Sequence, residues 1–274
     1  DNAFNIFTIP MFFSTYEEYR AVRSKLEPML KAKLEAKGLV LLNWGDTGWV
    51  YLFSKAPVPT VDALKQTRLY TSAGDDQFVQ LYKQNGFNPR PLPFSEVQSG
   101  LMTGLLDAVP STPLATLAFQ WYRNVPHMLD LGVGPLAGAT VIDAKVWNTI
   151  AENDRQQVLA VAKKIQDALE RDVPQQDEQA RAEMVKRGLK VATPDPAAAK
   201  GFRDMADKFA VSMKGLIVPA DVYAQGTRER DASRKSRGGK GGATRPRPPK
   251  RVASMRAVRS ARSSTSCRRW RWRC

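Results

Sequence analysis

Short apolar runs alternate with helical segments along most of the chain, and this alternation constrains the fold more than any other feature. Residues 39–42 and 49–53 have the length and composition of buried strands. Residues 45–48, with glycine at both ends, indicate a turn between them. The long helical stretch 151–186 contains Pro174, where we expect a break. Strands that alternate with helices predict an α/β fold rather than an all-α or all-β one.

Local signals also predict individual helices. Residues 14–37 have helical periodicity, and Ser14 or Thr15 can cap the first turn, which carries two glutamates. Further helices are expected after a cap at Ser95 and over residues 114–122. The last helix is expected over residues 197–213.

The positive charge of the chain is confined to its C-terminal part. Residues 226–274 hold 17 of the 42 Lys and Arg but 2 of the 27 Asp and Glu, so residues 1–225 carry 25 of each. The C-terminal segment is rich in Arg, Ser, Gly and Pro and lacks apolar periodicity, which is typical of disorder. We therefore expect a folded part over residues 1–225 and a basic, disordered tail over residues 226–274. The abrupt change in composition suggests a shifted reading frame.

The residues offer little for catalysis. His127 is the single histidine, both cysteines lie in the basic tail, and the chain has no P-loop, GxGxxG motif or metal-ligand spacing. Adjacent carboxylates such as Glu17 and Glu18 more often begin a helix than form a catalytic pair. We expect a protein that is not an enzyme and that uses no metal or cofactor.

Aromatic residues are frequent beside turns and at the ends of predicted elements. Their large apolar faces suit a ligand pocket, and pockets in α/β proteins lie at strand ends. For each ring alone, a place in the hydrophobic core is the favoured alternative, but their shared placement at element ends favours binding. These rings are Trp44, Trp49, Tyr70, Phe94, Trp121 and Tyr122.

The segment 86–107, GFNPRPLPFSEVQSGLMTGLLD, carries a family resemblance. The Pro-Phe-Ser-Glu motif at 93–96, then Gly104 and Asp107, resemble in order the helix cap, helix end and following strand of TRAP-type (DctP-like) solute-binding proteins. Similar matches continue over about residues 5–225. Their order and spacing, rather than any single motif, make the resemblance specific.

The resemblance implies a two-lobed α/β fold of the type II periplasmic-binding-protein kind, with a solute held between the lobes. It also implies lobe closure by a hinge motion and delivery of the solute to TRAP membrane permease subunits in the periplasm. Family members have a signal peptide and further residues before the point where this chain starts. The first lobe is therefore expected to be incomplete.

The resemblance also suggests site residues. Many members bind a solute carboxylate through arginines, but Trp49 and Tyr70 stand at two such positions here. Arg68 shares a strand face with Tyr70 and is a candidate substitute, although a solvated or ion-paired arginine is the favoured alternative. Phe94 matches an aromatic residue that packs on the solute, and Ser111 matches a polar ligand position. The expected ligand-binding set is Trp49, Arg68, Tyr70, Phe94, Ser111, Thr112, Trp121 and Tyr122.

A pocket with rings in place of guanidinium groups favours a small organic acid or related solute with an apolar or aromatic part. Its polar end would be held by hydroxyls, amides or a helix N-terminus, and simple dicarboxylates fit less well. The alternative function is nucleic-acid binding through the basic tail, where Trp270 and Trp272 could stack on bases. Residues 1–225 contain no nucleic-acid-binding motif, so no nucleic-acid partner is expected.

Overall fold

A mixed six-stranded sheet organises the protein, whose computed structural model describes residues 1–238. The strands are β1 (Leu39–Ser54), β2 (Arg68–Ser72), β3 (Asn88–Leu92), β4 (Ala108–Ser111), β5 (His127–Asp143) and β6 (Lys190–Ala192), in the spatial order β3-β2-β4-β1-β5-β6. The helices are α1 (Tyr16–Glu35), α2 (Val61–Gln66), α3 (Asp76–Gln84), α4 (Val97–Thr103), α5 (Pro113–Ala118), α6 (Ala144–Thr149), α7 (Glu152–Lys186), α8 (Pro196–Met213) and α9 (Ala220–Gly238). Short 3-10 helices lie at Asn2–Thr8, Phe94–Glu96 and Trp121–Arg123.

β1 and β5 are much longer than the other strands and pair antiparallel along most of their length. The prediction of two short strands and a turn over residues 39–53 is wrong, because β1 passes through residues 45–48 without reversing. Gly48 has a φ of +123°, and a Cβ there would lie 2.7 Å from both Asp177 and Thr112. Glycine therefore lets the strand bend past α5 and α7.

β2, β3 and β4 form the parallel part of the sheet. β2 pairs with both β3 and β4, so the three C-terminal ends lie at one side, which we call the carboxyl edge. β4 also pairs antiparallel with the end of β1, where Tyr51 lies opposite Ser111. Ligands of open α/β sheets bind at such an edge.

The two lobes meet near the point where β1, which pairs with β5 along its length, also begins to pair with β4. The core of the first lobe contains Leu41 and Trp44 of β1, together with residues of α1, α8 and α9. In the second lobe, Leu52 and Phe53 face opposite sides of the sheet, and a separate apolar core covers each side. Among the described residues, β1 and β5 are the strands that contribute to the first lobe's core. The predicted two-lobed α/β architecture is confirmed.

α7 is continuous through Pro174, so the predicted break in this helix is wrong. Proline has no N–H and leaves the carbonyl oxygen of Glu170 without its helical donor. The Arg20 guanidinium donates to that oxygen at 2.6 Å instead. A side chain from α1 thus replaces the missing backbone hydrogen bond.

α9 crosses the predicted boundary of the basic tail. The expectation of disorder is wrong for residues 226–238, because the helix continues through them, and α8 is accordingly not the last helix. Arg234 donates to the buried Glu18 carboxylate at 3.0 Å. Arg237 donates at 2.7 Å to the hydroxyl of Thr15, which also caps α1 as predicted. The rest of the predicted tail lies outside the described residues.

Two helix boundaries near the carboxyl edge differ from expectation. Ser95 does not cap α4, since it lies inside a 3-10 helix, and α4 begins at Val97 without a side-chain cap. The helix predicted over residues 114–122 ends early, because Gln120 adopts a φ of +57°. A separate 3-10 helix therefore carries Trp121.

Candidate functional site

The carboxyl edge brings three of the expected site residues near one another. Phe94 comes just after β3, Ser111 ends β4, and Tyr70 lies two residues before the end of β2. The Phe94 side chain is 55% exposed, Tyr70 is half-buried and Ser111 is buried. This edge therefore presents an aromatic face with hydroxyl groups on the neighbouring strands.

Phe94 belongs to a group of three aromatic rings. Its centroid lies 5.3 Å from that of Phe119 and 5.5 Å from that of Trp121. Phe119 and Trp121 stack at 5.2 Å. Trp121 is buried, whereas Phe119 is 49% exposed. The buried indole thus holds two exposed rings in a fixed arrangement.

Tyr70 and Tyr122 pack in the second lobe's core on the side of Phe53. Burial raises the pKa of Tyr70 above its ordinary value. The Tyr122 hydroxyl accepts a hydrogen bond from Arg187 at 3.3 Å, and this cation lowers the pKa of Tyr122. Tyr122 therefore connects its 3-10 helix to the end of α7.

A buried carboxylate joins β1, α5 and α7. Asp177 accepts hydrogen bonds from the backbone N–H of Trp49 at 2.9 Å and of Leu114 at 3.1 Å. The Thr112 hydroxyl accepts a third bond, from the Ala115 N–H at 3.3 Å. Burial raises the pKa of Asp177. Side chains of the protein itself therefore accept hydrogen bonds from the Leu114 and Ala115 N–H groups at the start of α5.

Arg68 lies at the opposite end of β2 from the carboxyl edge. Its guanidinium donates to both carboxylate oxygens of Asp107, at 2.6 and 2.7 Å. These bonds lower the pKa of Asp107. Arg68 is therefore ion-paired, as the favoured alternative expected, and it lies away from the carboxyl edge.

Other arginines near the junction of the lobes also have carboxylate partners. Arg20 and Arg23 donate to the buried Asp46, at 2.8 and 2.9 Å. Arg181 pairs with Asp130 at 2.7 Å. A solute carboxylate would have to compete with these pairs for the guanidinium groups. These ion pairs therefore stabilise contacts between the elements that they join, and the three guanidinium groups are already occupied by carboxylates of the protein.

An apolar cavity of about 100 Å³ lies on the side of the sheet that Leu52 faces. Pro110 lines it from β4, Met11 packs against the same core, and Phe209, which belongs to the first lobe's core, lines it from α8. None of the eight expected site residues is part of the lining. A single cleft lined by the expected rings is therefore not the arrangement found, since Trp49 and Trp121 belong to the cores of different lobes.

Two aromatic residues at this edge were not selected from the sequence. Phe119 is identified as a candidate site residue only by the contact of its ring with that of Phe94. Tyr51 packs against the cores of both lobes and lies opposite Ser111. Burial raises the pKa of Tyr51 to about 12. The alternation of Tyr51 with Phe53 on one strand was a signal present in the sequence.

Within residues 1–238, no helix combines the length and apolar content required to cross a membrane. The same part of the chain contains no group of three or more His, Cys, Asp or Glu side chains arranged to hold a metal ion.

A family model covers most of the chain. The model described as bacterial extracellular solute-binding protein, family 7, matches residues 1–213. The chain belongs to this family. The resemblance inferred from the ordered motifs between residues 5 and 225 is thereby confirmed.

Two relatives of this family 7 protein are named as periplasmic binding proteins. The 2,3-diketo-L-gulonate-binding periplasmic protein of Escherichia coli is 36% identical over 106 residues, which is 38% of this chain and 32% of the relative. The C4-dicarboxylate-binding periplasmic protein of Rhodobacter capsulatus is 24% identical over 153 residues, which is 56% of this chain and 46% of the relative. The matched part of the chain thus spans less than half the length of these relatives.

Solved structures share the fold of the family 7 protein. An extracytoplasmic solute receptor of Bordetella pertussis that binds pyroglutamic acid has a TM-score of 0.76 at 20% identity, covering 84% of this chain and 75% of that one. The ectoine-binding protein of a Halomonas elongata TRAP transporter has a TM-score of 0.76 at 18% identity, covering 84% and 76%. These likenesses establish the fold, and none of these proteins is named for binding nucleic acid.

Proposed function

We propose that this family 7 protein is the extracytoplasmic solute receptor of a TRAP transporter. It holds a small organic solute between its lobes and delivers it to the membrane permease subunits, acting in the periplasm. The observation that carries this proposal is the position of the carboxyl edge of β2, β3 and β4. This edge lies beside β1, at the point where β1 crosses between the lobes. Such an edge gathers ligand-contacting groups from separate strands.

The solute contacts are assigned to the carboxyl edge. Phe94 has an exposed ring that packs against the buried Trp121, and Tyr70 lies on the strand next to β3. Ser111 adds a hydroxyl at the end of β4, next to Tyr51 of β1. Among the remaining expected residues, Thr112, Trp121 and Tyr122 are buried in the second lobe close to this edge, whereas Trp49 is buried in the first lobe's core.

The solute is a small organic acid or related compound with an apolar part. A dicarboxylate is best held by guanidinium groups that match its oxygens in pairs. Arg20, Arg23 and Arg181 are engaged by carboxylates of the protein. The exposed ring of Phe94 favours an apolar face on the solute instead.

A thermal-shift screen tests the receptor function. The full chain is heated with a library of small aliphatic, aromatic and dicarboxylic acids, and mass spectrometry identifies any solute that co-purifies. A ligand present at 100 times its Kd stabilises the folded state by about 2.7 kcal/mol, which raises Tm by roughly 5–11 °C for a chain of this size. The shift should decrease in Phe94→Ala and persist in Met102→Ala, whose wild-type side chain is 67% exposed elsewhere in the second lobe.

The screen can contradict the proposal in two ways. If no acid in the library changes Tm and no solute co-purifies, the receptor function is rejected. If succinate or malate binds tightly while acids with apolar groups have no effect, the receptor function stands and the solute class is wrong.

A further inference from the structure

One face of the carboxyl edge carries a row of hydroxyl groups. Tyr51 lies opposite Ser111 in the antiparallel pair of β1 and β4. Leu69 lies beside Ala108 in the parallel pair of β2 and β4, and the same register three residues further along places Ser72 beside Ser111. Residues that lie side by side in a sheet share a face. Three adjacent strands, spaced by about 4.8 Å, therefore align three hydroxyl-bearing residues over roughly 10 Å.

The row ends beside the aromatic ring already assigned to the solute. Leu92 of β3 lies opposite Ser72 and packs in the same core as Trp121. Trp121 in turn contacts the exposed ring of Phe94, at 5.5 Å between centroids. Tyr70 packs in this core as well, two residues before Ser72 on the same strand. The hydroxyl row and the Phe94 ring thus lie on one side of the sheet.

The two serines of the row present mainly acceptor oxygens. The Ser111 hydroxyl donates to the carbonyl oxygen of Thr112 at 3.3 Å, so its lone pairs remain to accept a hydrogen bond. The Ser72 hydroxyl makes a longer contact with the carbonyl oxygen of Ala73, at 3.5 Å. Such acceptors suit a solute that donates hydrogen bonds. They oppose a second carboxylate, because an ionised carboxylate only accepts.

Tyr51 is the donor at the other end of the row. Its half-buried side chain makes no hydrogen bond within residues 1–238, and its hydroxyl keeps contact with solvent. Burial raises the pKa of Tyr51 to about 12, so the proton is present at neutral pH. The guanidinium of Arg181, which pairs with Asp130, acts on Tyr51 in the opposite direction and lowers its pKa. Tyr51 is therefore suited to donate to a single carboxylate.

We infer, on the basis of the proposed receptor function, that the solute is a polyhydroxy acid whose carboxylate accepts from Tyr51 and whose hydroxyl groups donate to Ser111 and Ser72. Its C–H face packs on the ring of Phe94. A hydroxyl group both donates and accepts, whereas an aliphatic chain would take water from the two serines and replace none of their hydrogen bonds. A row of roughly 10 Å matches an extended acid of about six carbons. Tyr51 and Ser72 are thereby specificity determinants of the site.

Calorimetric titration of the full chain with matched six-carbon acids tests this assignment. The probes are three stereoisomeric aldonates (D-gluconate, D-mannonate and D-galactonate) together with hexanoate, adipate and norleucine. Hexanoate lacks the hydroxyl groups, adipate replaces them with a second carboxylate, and norleucine replaces them with an ammonium group. At least one aldonate is expected to bind about tenfold more tightly than these three, the factor expected from one or two additional hydrogen bonds.

Two variants each remove one hydroxyl from the row. Tyr51→Phe and Ser72→Ala should each weaken aldonate binding about five- to tenfold without lowering Tm, because neither hydroxyl makes a strong bond within the protein. Tyr82→Phe is the matched control for Tyr51→Phe. Tyr82 is also half-buried, but it lines the apolar cavity on the other side of the sheet, so this variant should keep wild-type affinity.

The outcomes separate this assignment from the receptor function. Tightest binding by hexanoate, adipate or norleucine overturns the polyhydroxy acid and leaves the receptor function intact. Unchanged aldonate affinity in both Tyr51→Phe and Ser72→Ala overturns the hydroxyl row as the contact surface, as does an equal loss in Tyr82→Phe. If none of the probes binds, the assignment is overturned, and the library screen separately decides the receptor function.

Discussion

Replacing Asp46 with Ala tests the charged network that joins α1, β1 and α7. The Asp46 side chain is 1% exposed and meets Arg20 at 2.6 Å and Arg23 at 2.9 Å. Glu170 of α7 also pairs with Arg23 and is 23% exposed. Asp46→Ala therefore leaves two guanidinium groups that depend on a single, partly exposed carboxylate.

We expect this substitution to lower the free energy of unfolding by about 3 kcal/mol. Removing one partner of a buried ion pair costs about 3–5 kcal/mol, and the remaining Glu170 carboxylate places the value at the low end. The midpoint of thermal unfolding should decrease by roughly 6–12 °C. Scanning calorimetry at pH 7 measures this change. The control is Asp172→Ala, which removes an exposed partner of Arg171 and should leave Tm unchanged.

Equal midpoints for Asp46→Ala and Asp172→Ala would refute the reasoning about burial. A second comparison tests the pairing itself. Asp46→Ala combined with Arg23→Met should be less destabilised than the sum of the single variants, because the buried Arg23 guanidinium that Asp46→Ala leaves without this partner is also removed. Additive losses would show that Asp46 and Arg23 do not interact.

Three other substitutions test separate contacts. Burial raises the Asp177 pKa, so the folded state binds this proton more tightly than the unfolded state. The stability of the wild type relative to Asp177→Asn should therefore increase as pH falls from the raised pKa toward the ordinary value of about 3.9, and a constant difference in urea unfolding would contradict this. Arg234→Ala removes a partner of the buried Glu18 and should cost about 1–2 kcal/mol, whereas an unchanged Tm would show that α9 does not pack on α1 beyond residue 225. Arg68→Ala should leave solute affinity unchanged in calorimetry. Because Arg68 lowers the Asp107 pKa, the stability advantage of the wild type over this variant should disappear as pH falls below the ordinary aspartate range, and a persistent advantage would be inconsistent with the pair.

The elements that local signals control were predictable from the sequence. The cap at Thr15 fixes the start of α1, and Gly104, with a φ of +81°, ends α4 as expected. Features that depend on distant residues were not predictable. β1 continues past Gly48 because α5 and α7 pack against it, and α7 continues past Pro174 because Arg20 supplies the missing donor.

The candidate site was predictable only where a motif accompanied it. Phe94 was selected through the Pro-Phe-Ser-Glu motif, and it is the exposed ring at the carboxyl edge. Trp49 and Tyr122 are also aromatic and also lie beside predicted turns or element ends, yet both are buried by contacts that form only in the folded chain. Burial of a single ring is a tertiary property that spacing alone does not encode.

The most direct measurement is calorimetric titration of the solute identified by mass spectrometry into the wild type, Phe94→Ala and Met102→Ala. We predict one solute bound per chain, an affinity about tenfold lower in Phe94→Ala, and wild-type affinity in Met102→Ala. Wild-type affinity in Phe94→Ala, or the absence of any saturable binding, would contradict the account of a receptor that holds its solute at the carboxyl edge.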